Sequence, residues 1–151
     1  LKLKNQTIAI LPNSDAGNEQ IIKQLKIFSK KNNFLKIFPN LSRIDYLGFL
    51  KYCSALVGNS SSGLIECSYF HTPAINIGIR QLGREKDTNV IDVPNFSKPL
   101  IVNALKKSLK KKNIKIKNSS IYGTGNASKK IVQHLENLQI DSNLIKKKLI
   151  Y

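Results

Sequence analysis

Short apolar runs alternate with amphipathic stretches along this chain, and that alternation leaves few folds open. The runs are Thr7–Leu11, Phe34–Phe38, Ala55–Val57, Ala74–Ile77 and Val90–Val93, each rich in Ile, Leu, Val or Phe. Between them, Glu19–Lys30 sets Ile21, Ile22, Leu25 and Phe28 at helical spacing, and Arg43–Cys53 does the same with Tyr46, Leu47, Phe49 and Leu50. Ser62–Phe70, Lys98–Lys111 and Ala127–Leu138 read as further helices, with Ser97 as a cap and Pro99 in the first turn of the second. Short strands separated by helices build a parallel sheet covered on both faces, so the expected fold class is α/β. Ligands of such sheets gather at the carboxyl ends of the strands. The segments Pro12–Gly17, Asn40–Arg43, Gly58–Gly63 and Gly78–Arg84 each follow a strand, carry the polar and glycine residues, and are expected to share one rim.

Of these, Gly58–Glu66, GNSSSGLIE, carries the most chemistry. A helix opening at Ser61 or Ser62 presents unpaired N–H groups and the positive end of its dipole, which suits an anion. Ser60, Ser61, Ser62 and Gly63 are the expected diphosphate ligands, through hydroxyls and backbone N–H groups, with Gly63 allowing close approach. Glu66, one turn on from Ser62, is placed to accept hydrogen bonds from sugar hydroxyls. The competing reading of a serine cluster ahead of a helix is a plain N-cap. Arg80 and Arg84 stand in a glycine-flanked loop, where a guanidinium fork suits phosphate better than lysine does. Asp15 is expected to cap the helix that follows it.

Gly58–Gly63, Glu66, Thr72–Gly78, Arg80–Arg84 and Asn89–Val93, with Leu11–Gly17 before them and Ile121–Ser128 after, resemble the hydrolysing UDP-N-acetylglucosamine 2-epimerases of sialic and legionaminic acid precursor synthesis. The resemblance runs from about Ile8 to Leu138. It implies a Rossmann-like parallel sheet with helices on both faces, the second half of a glycosyltransferase-B-type two-domain fold. Residues 1–140 would form the nucleotide-binding domain and 141–151 a tail. The family match implies Arg80 as the phosphate contact, with Arg84 and Glu85 ordering the loop. It adds Asn13 as a nucleotide contact and puts Leu41 and Ser42 near the uracil, their backbone groups reading the base edge. The chain opens at Leu1 and contains no methionine, so it is expected to be a fragment, inactive alone, with the catalytic residues on a missing N-terminal half. For the whole enzyme the resemblance implies loss of UDP by elimination across C1 and C2, then water addition to give N-acetylmannosamine or a related 2-epimerised sugar. It implies no cofactor and no metal, a cytoplasmic homo-oligomer, and UDP-N-acetylglucosamine or a related nucleotide sugar as partner. Ile79 and Thr124 depart from the family pattern, at positions usually polar and acidic.

The net charge of +16 raises a different class of function. Of the 25 basic residues only Arg43, Arg80 and Arg84 are arginines, and the lysine runs at 106–107, 110–112 and 146–148 lack interleaved aromatics. A solvated lysine-rich surface is the better account, and a noncatalytic RNA-binding module is the lesser reading. A nucleotide-sugar glycosyltransferase shares the architecture and the glutamate and stands as the alternative enzyme. A serine hydrolase fails on spacing, since GNSSSG has one residue too many for G-x-S-x-G. No apolar run approaches the roughly 20 residues of a membrane span. Cys53 and Cys67 read as reduced, buried thiols on helices, and His71 and His134 as packing or surface residues on helices.

Overall fold

A computed structural model of the chain describes residues 5–14, 16–111, 121–141 and 144. Asp15 lies outside the described residues, as does most of the expected tail. The chain divides into two compact units, Leu1–Phe49 and Leu50–Tyr151, with the division inside a helix.

The first unit contains β1 (Thr7–Ile10), α1 (Asn18–Lys31), β2 (Leu35–Phe38) and most of α2 (Arg43–Tyr52). β1 and β2 pair in parallel, Thr7 opposite Leu35 and Ile10 opposite Phe38. Edge-to-face packing of Phe28 on Phe34, with centroids 6.2 Å apart, ties the end of α1 to the start of β2.

The second unit holds the main core. β3 (Leu56–Gly58), β4 (Ala74–Ile77) and β5 (Val90–Val93) form a parallel sheet in that order, β4 at its centre. Alternation of side chains gives this sheet two distinct faces. On one, Ile75 and Val93 pack with Ala104 of α4 (Lys98–Lys111), supported by Ile77, Ile91, Ile101 and Leu105. The other receives the β3–β4 crossover, where Gly63 lies against Ala74 and Leu56. The α/β class with parallel strands flanked by helices is therefore the observed one. Among the described residues the strands form two sheets, β1–β2 and β3–β4–β5, where the sequence pattern predicts one.

The expected helix Ser62–Phe70 is replaced by two shorter pieces, a 3₁₀ turn at Ser61–Gly63 and the single-turn α3 (Glu66–Tyr69). The first bonds run from Gly63 N–H to Ser60 O (3.1 Å) and from Leu64 N–H to Ser61 O (2.9 Å), the spacing of the tighter helix. Leu64, 1% exposed, and Cys67, fully buried, anchor the crossover. Burying a leucine side chain stabilises by about 1.5–3 kcal/mol. His71 does not lie on a helix. It ends α3 in the left-handed conformation, φ 54°, which lets its N–H reach Ser68 O (3.1 Å) and the Thr72 N–H reach Cys67 O (2.8 Å). His134 falls on α5 (Ala127–Glu136), as expected.

Candidate functional site

In the second unit the parallel register brings Gly58 opposite Asn76 and Asn76 opposite Asp92. The segments that follow β3 and β4 therefore leave the sheet at one edge, and they are the two richest in expected phosphate ligands. Ser60, Ser61, Ser62, Gly63 and Glu66 belong to the first, Arg80 and Arg84 to the second.

Ser60 is the N-cap of the 3₁₀ turn, its hydroxyl accepting from the Ser62 N–H at 3.3 Å. The capping reading is thus realised, and it does not use up the hydroxyl, because an oxygen that accepts still has its O–H to donate. Ser60 is exposed, Ser61 and Ser62 are half-buried, and Glu66 opens α3 half-buried. Gly63 has a packing role beside the one expected from the sequence. Its N–H bonds within the turn, and a Cβ on it would stand 3.3 Å from the Ala74 side chain and 3.7 Å from that of Leu56. The glycine lets the crossover lie close on the sheet.

After β4, Gly78 turns the chain at φ 80°, a conformation that disfavours any side chain. Arg80 and Arg84 follow, both exposed, and the turn is held by Leu82 N–H to Ile79 O at 2.9 Å and Arg84 N–H to Gln81 O at 3.4 Å. Beneath the same edge Asp92 accepts from Asn76 Nδ2 (2.7 Å) and pairs with Lys86 Nζ (2.9 Å). Burial pushes the Asp92 carboxyl up, but the Asn76 and Lys86 contacts outweigh it and hold it below its ordinary value.

Several residues that order this region carried no role in the sequence. The buried Gln81 donates from Nε2 to Asn59 O at 2.8 Å, joining the two segments. Asn89, also buried, donates from Nδ2 to both Gly63 O (3.1 Å) and Thr72 O (3.0 Å). Tyr122 Oη donates to Glu85 O at 2.5 Å. Asp87 accepts from the buried Ser68 hydroxyl at 2.8 Å and from the Thr88 N–H at 2.7 Å. The Ser68 bond is the main cause of a carboxyl held below its ordinary value, with Thr88 and the Ile121 N–H adding to it against a burial penalty. A depressed carboxyl contributes stability above its unfolded value of about 4, which is lost as pH falls through the lower folded value. Asp87→Asn is accordingly expected to flatten the acid limb of a plot of thermal midpoint against pH below about pH 4, while wild type falls steeply there. Equal slopes would remove Asp87 from the acid response.

In the first unit Asn13 is exposed and its carbonyl accepts from Asn18 Nδ2 at 3.1 Å. Ser42 caps α2, its hydroxyl accepting from the Asp45 N–H (3.1 Å) and donating to Asp45 Oδ2 (2.6 Å). Of the backbone groups expected to read a base, the Leu41 N–H bonds Asn40 Oδ1 at 2.8 Å and the Ser42 carbonyl accepts from the Tyr46 N–H at 2.9 Å. Those two groups are engaged within the chain.

Cys67 is fully buried, and desolvation, with smaller contributions from Cys53 and Glu66, pushes its thiol up to about 12. Cys53 follows α2, is only half-buried, and donates to Leu50 O at 3.5 Å. A thiol that stays protonated at neutral pH is a poor nucleophile. An aromatic disulfide reagent at pH 8 is expected to label no more than one thiol per native chain, at Cys53, and two after urea unfolding. Rapid native labelling of both would contradict the burial of Cys67. Among the described residues no group of three His, Cys, Asp or Glu side chains is placed to hold a metal ion, and no helix is long and apolar enough to cross a membrane.

Comparison with known proteins bears on the same stretch of chain. Residues 2–136 match the family described as UDP-N-acetylglucosamine 2-epimerase. A UDP-N,N'-diacetylbacillosamine 2-epimerase (hydrolyzing) of Legionella pneumophila is 34% identical over 142 residues, covering 94% of this chain and 37% of the relative. A polysialic acid biosynthesis protein P7 of Escherichia coli is 42% identical over 113 residues, 75% of this chain and 28% of that protein. A GDP/UDP-N,N'-diacetylbacillosamine 2-epimerase (hydrolyzing) of Campylobacter jejuni is 41% identical over 92 residues, 60% of this chain and 24% of its own. The chain thus spans little more than a third of the Legionella relative and less of the others.

Proposed function

The chain belongs to the UDP-N-acetylglucosamine 2-epimerase family, and from that premise we propose that it is the nucleotide-binding part of a hydrolysing nucleotide-sugar 2-epimerase. The observation that carries the proposal is the pairing, at one edge of the β3–β4–β5 sheet, of a serine-rich turn with an arginine-bearing turn. In this reading Ser60, Ser61 and Ser62 bind the diphosphate through hydroxyls and N–H groups, and Arg80 neutralises it. Gly63 belongs to the same cradle and also lets the turn settle on the sheet, and Glu66 accepts from the ribose hydroxyls. Asn13, Leu41 and Ser42 are proposed as nucleotide contacts on the sequence resemblance.

The reaction proposed for the whole enzyme removes the proton at C2 of the sugar and breaks the C1–oxygen bond, so that UDP leaves with the electron pair and a C1=C2 double bond forms. Water then adds its oxygen to C1, and C2 is reprotonated from the opposite face. Charge builds on the departing diphosphate as the C1–oxygen bond lengthens. Arg80 and the donors of the serine turn would stabilise that charge, which makes this part of the protein a leaving-group site as well as a binding one. The names of the relatives support an amino-sugar nucleotide as substrate, with free 2-epimerised sugar as product.

Calorimetric titration with UDP tests the proposal directly. Wild type is expected to bind saturably, and Glu66→Ala to lose about ten- to a hundredfold in affinity for UDP and for uridine alike, because a hydrogen bond to a charged group contributes about 1.5–3 kcal/mol. A chain that is folded by circular dichroism and binds neither UDP nor GDP would overturn the reading.

A further inference from the structure

We propose that Gln81 is a positioning residue for the anion-binding turn. Its side-chain amide holds the Gly58–Gly63 segment in the shape that receives a phosphate, and the same hold fixes the backbone of Arg80 beside it. The inference rests on the nucleotide reading above and adds the group that sets the geometry of that site.

Gln81 is 3% exposed, although Arg80 before it and Leu82 after it are open to solvent. Burying a primary amide is unfavourable unless it is hydrogen-bonded. Here Nε2 donates to the Asn59 carbonyl at 2.8 Å, across 22 residues of sequence, while Oε1 is buried with no hydrogen-bond partner among the described residues. The single bond to Asn59 is therefore what secures the side chain. The backbone of Gln81 is held as well, since its carbonyl accepts from the Arg84 N–H.

The choice of Asn59 as acceptor has a geometric consequence. In a trans peptide the carbonyl and the following N–H lie in one plane and point in opposite directions. With the Asn59 carbonyl directed at Gln81, the Ser60 N–H is directed away from it, and Ser60 is the residue whose hydroxyl caps the turn. Rotation of that peptide would move the Ser60 N–H and the cap together. A leucine would fill much the same volume as glutamine and leave the peptide free to rotate.

The experiment compares wild type, Gln81→Leu and Gln81→Glu by two readouts on the same chain, hydrogen exchange of the peptide spanning 57–64 and titration with UDP and with uridine. Gln81→Leu is expected to raise exchange in that peptide while the urea midpoint stays near wild type. Its UDP affinity should fall by about tenfold, the effect of one lost hydrogen bond on the loop, with uridine affinity within about twofold. Gln81→Glu should match Gln81→Leu at pH 7.5, where an ionised carboxylate has no proton to donate. It should recover toward wild type as the pH is lowered to about 4, just below the ordinary glutamate value of about 4.3, where the neutral carboxyl donates to the Asn59 carbonyl. Affinities are taken relative to wild type at each pH, so ionisation of UDP itself cancels. Unchanged exchange in Gln81→Leu would overturn the proposal, as would raised exchange with unchanged UDP affinity, or a Gln81→Glu variant with no pH-dependent recovery. Gln81-dependent exchange in a wild-type chain that ignores both UDP and GDP would support the hold on the turn while overturning the nucleotide reading.

Discussion

Arg80→Ala is expected to weaken UDP binding by about ten- to a hundredfold, from the loss of one charge-assisted contact to phosphate, and to leave uridine binding nearly unchanged. The difference between the two ligands is the informative quantity. Arg80 is exposed and sits in the turn after β4, away from the core residues Ile75 and Val93, so its truncation should not disturb folding. The net charge of +16 attracts any nucleotide diphosphate, and that long-range term is shared by all the lysines. Repeating the titration at about 0.15 M and about 0.5 M salt separates the two, because diffuse attraction is screened while a close phosphate contact is screened less. Arg80→Lys should recover only part of the loss, since an ammonium cannot form the two parallel bonds of a guanidinium. Equal weakening of UDP and uridine would assign Arg80 to the nucleoside or to loop structure instead.

Asn89→Ala should cost about 2–5 kcal/mol of folding stability, read from urea denaturation, because two buried carbonyls lose their donor at once. Asn89 Nδ2 serves Gly63 O and Thr72 O from just before β5, so one amide fastens both ends of the β3–β4 crossover to the third strand. Against the 5–15 kcal/mol typical of a whole domain this is a large fraction. The exposed neighbour Thr88, changed to alanine, is the control and should shift stability by less than about 0.5 kcal/mol. A loss below about 1 kcal/mol at Asn89 would mean that water or a rearranged chain satisfies both carbonyls.

The elements were legible where local chemistry decides them. Ala74–Ile77 and Val90–Val93 appear at the residues where β-branched runs placed them, and α4 spans the stretch opened by Ser97 and Pro99. The segment after Gly58 was legible as a polar turn leading into helix, but its tight first winding was not, because that depends on how closely Gly63 can approach Ala74 and Leu56. The serine turn and Arg80 could be named from their spacing. Gln81 and Asn89 could not be assigned a role, since an amide in a polar stretch looks the same whether it faces solvent or lies buried against a carbonyl 17 to 26 residues away. The division of the strands into two sheets was hidden for a related reason, strand partnership being settled by contacts far apart in sequence.

The β3–β4 crossover has a kinetic consequence. Parallel strands require a connecting segment before they can pair, and here it is residues 59–73, close to the shortest such connection can be. Closing a short loop exacts little chain entropy, so contacts between neighbours in sequence form ahead of distant ones. The pairing of β3 with β4, the seating of Gly63 and the clasp of Gln81 on Asn59 all fall within residues 56–81. The serine turn is therefore expected to be among the first parts of the second unit to assemble, its ligand-facing edge taking shape before α4 docks to complete the core.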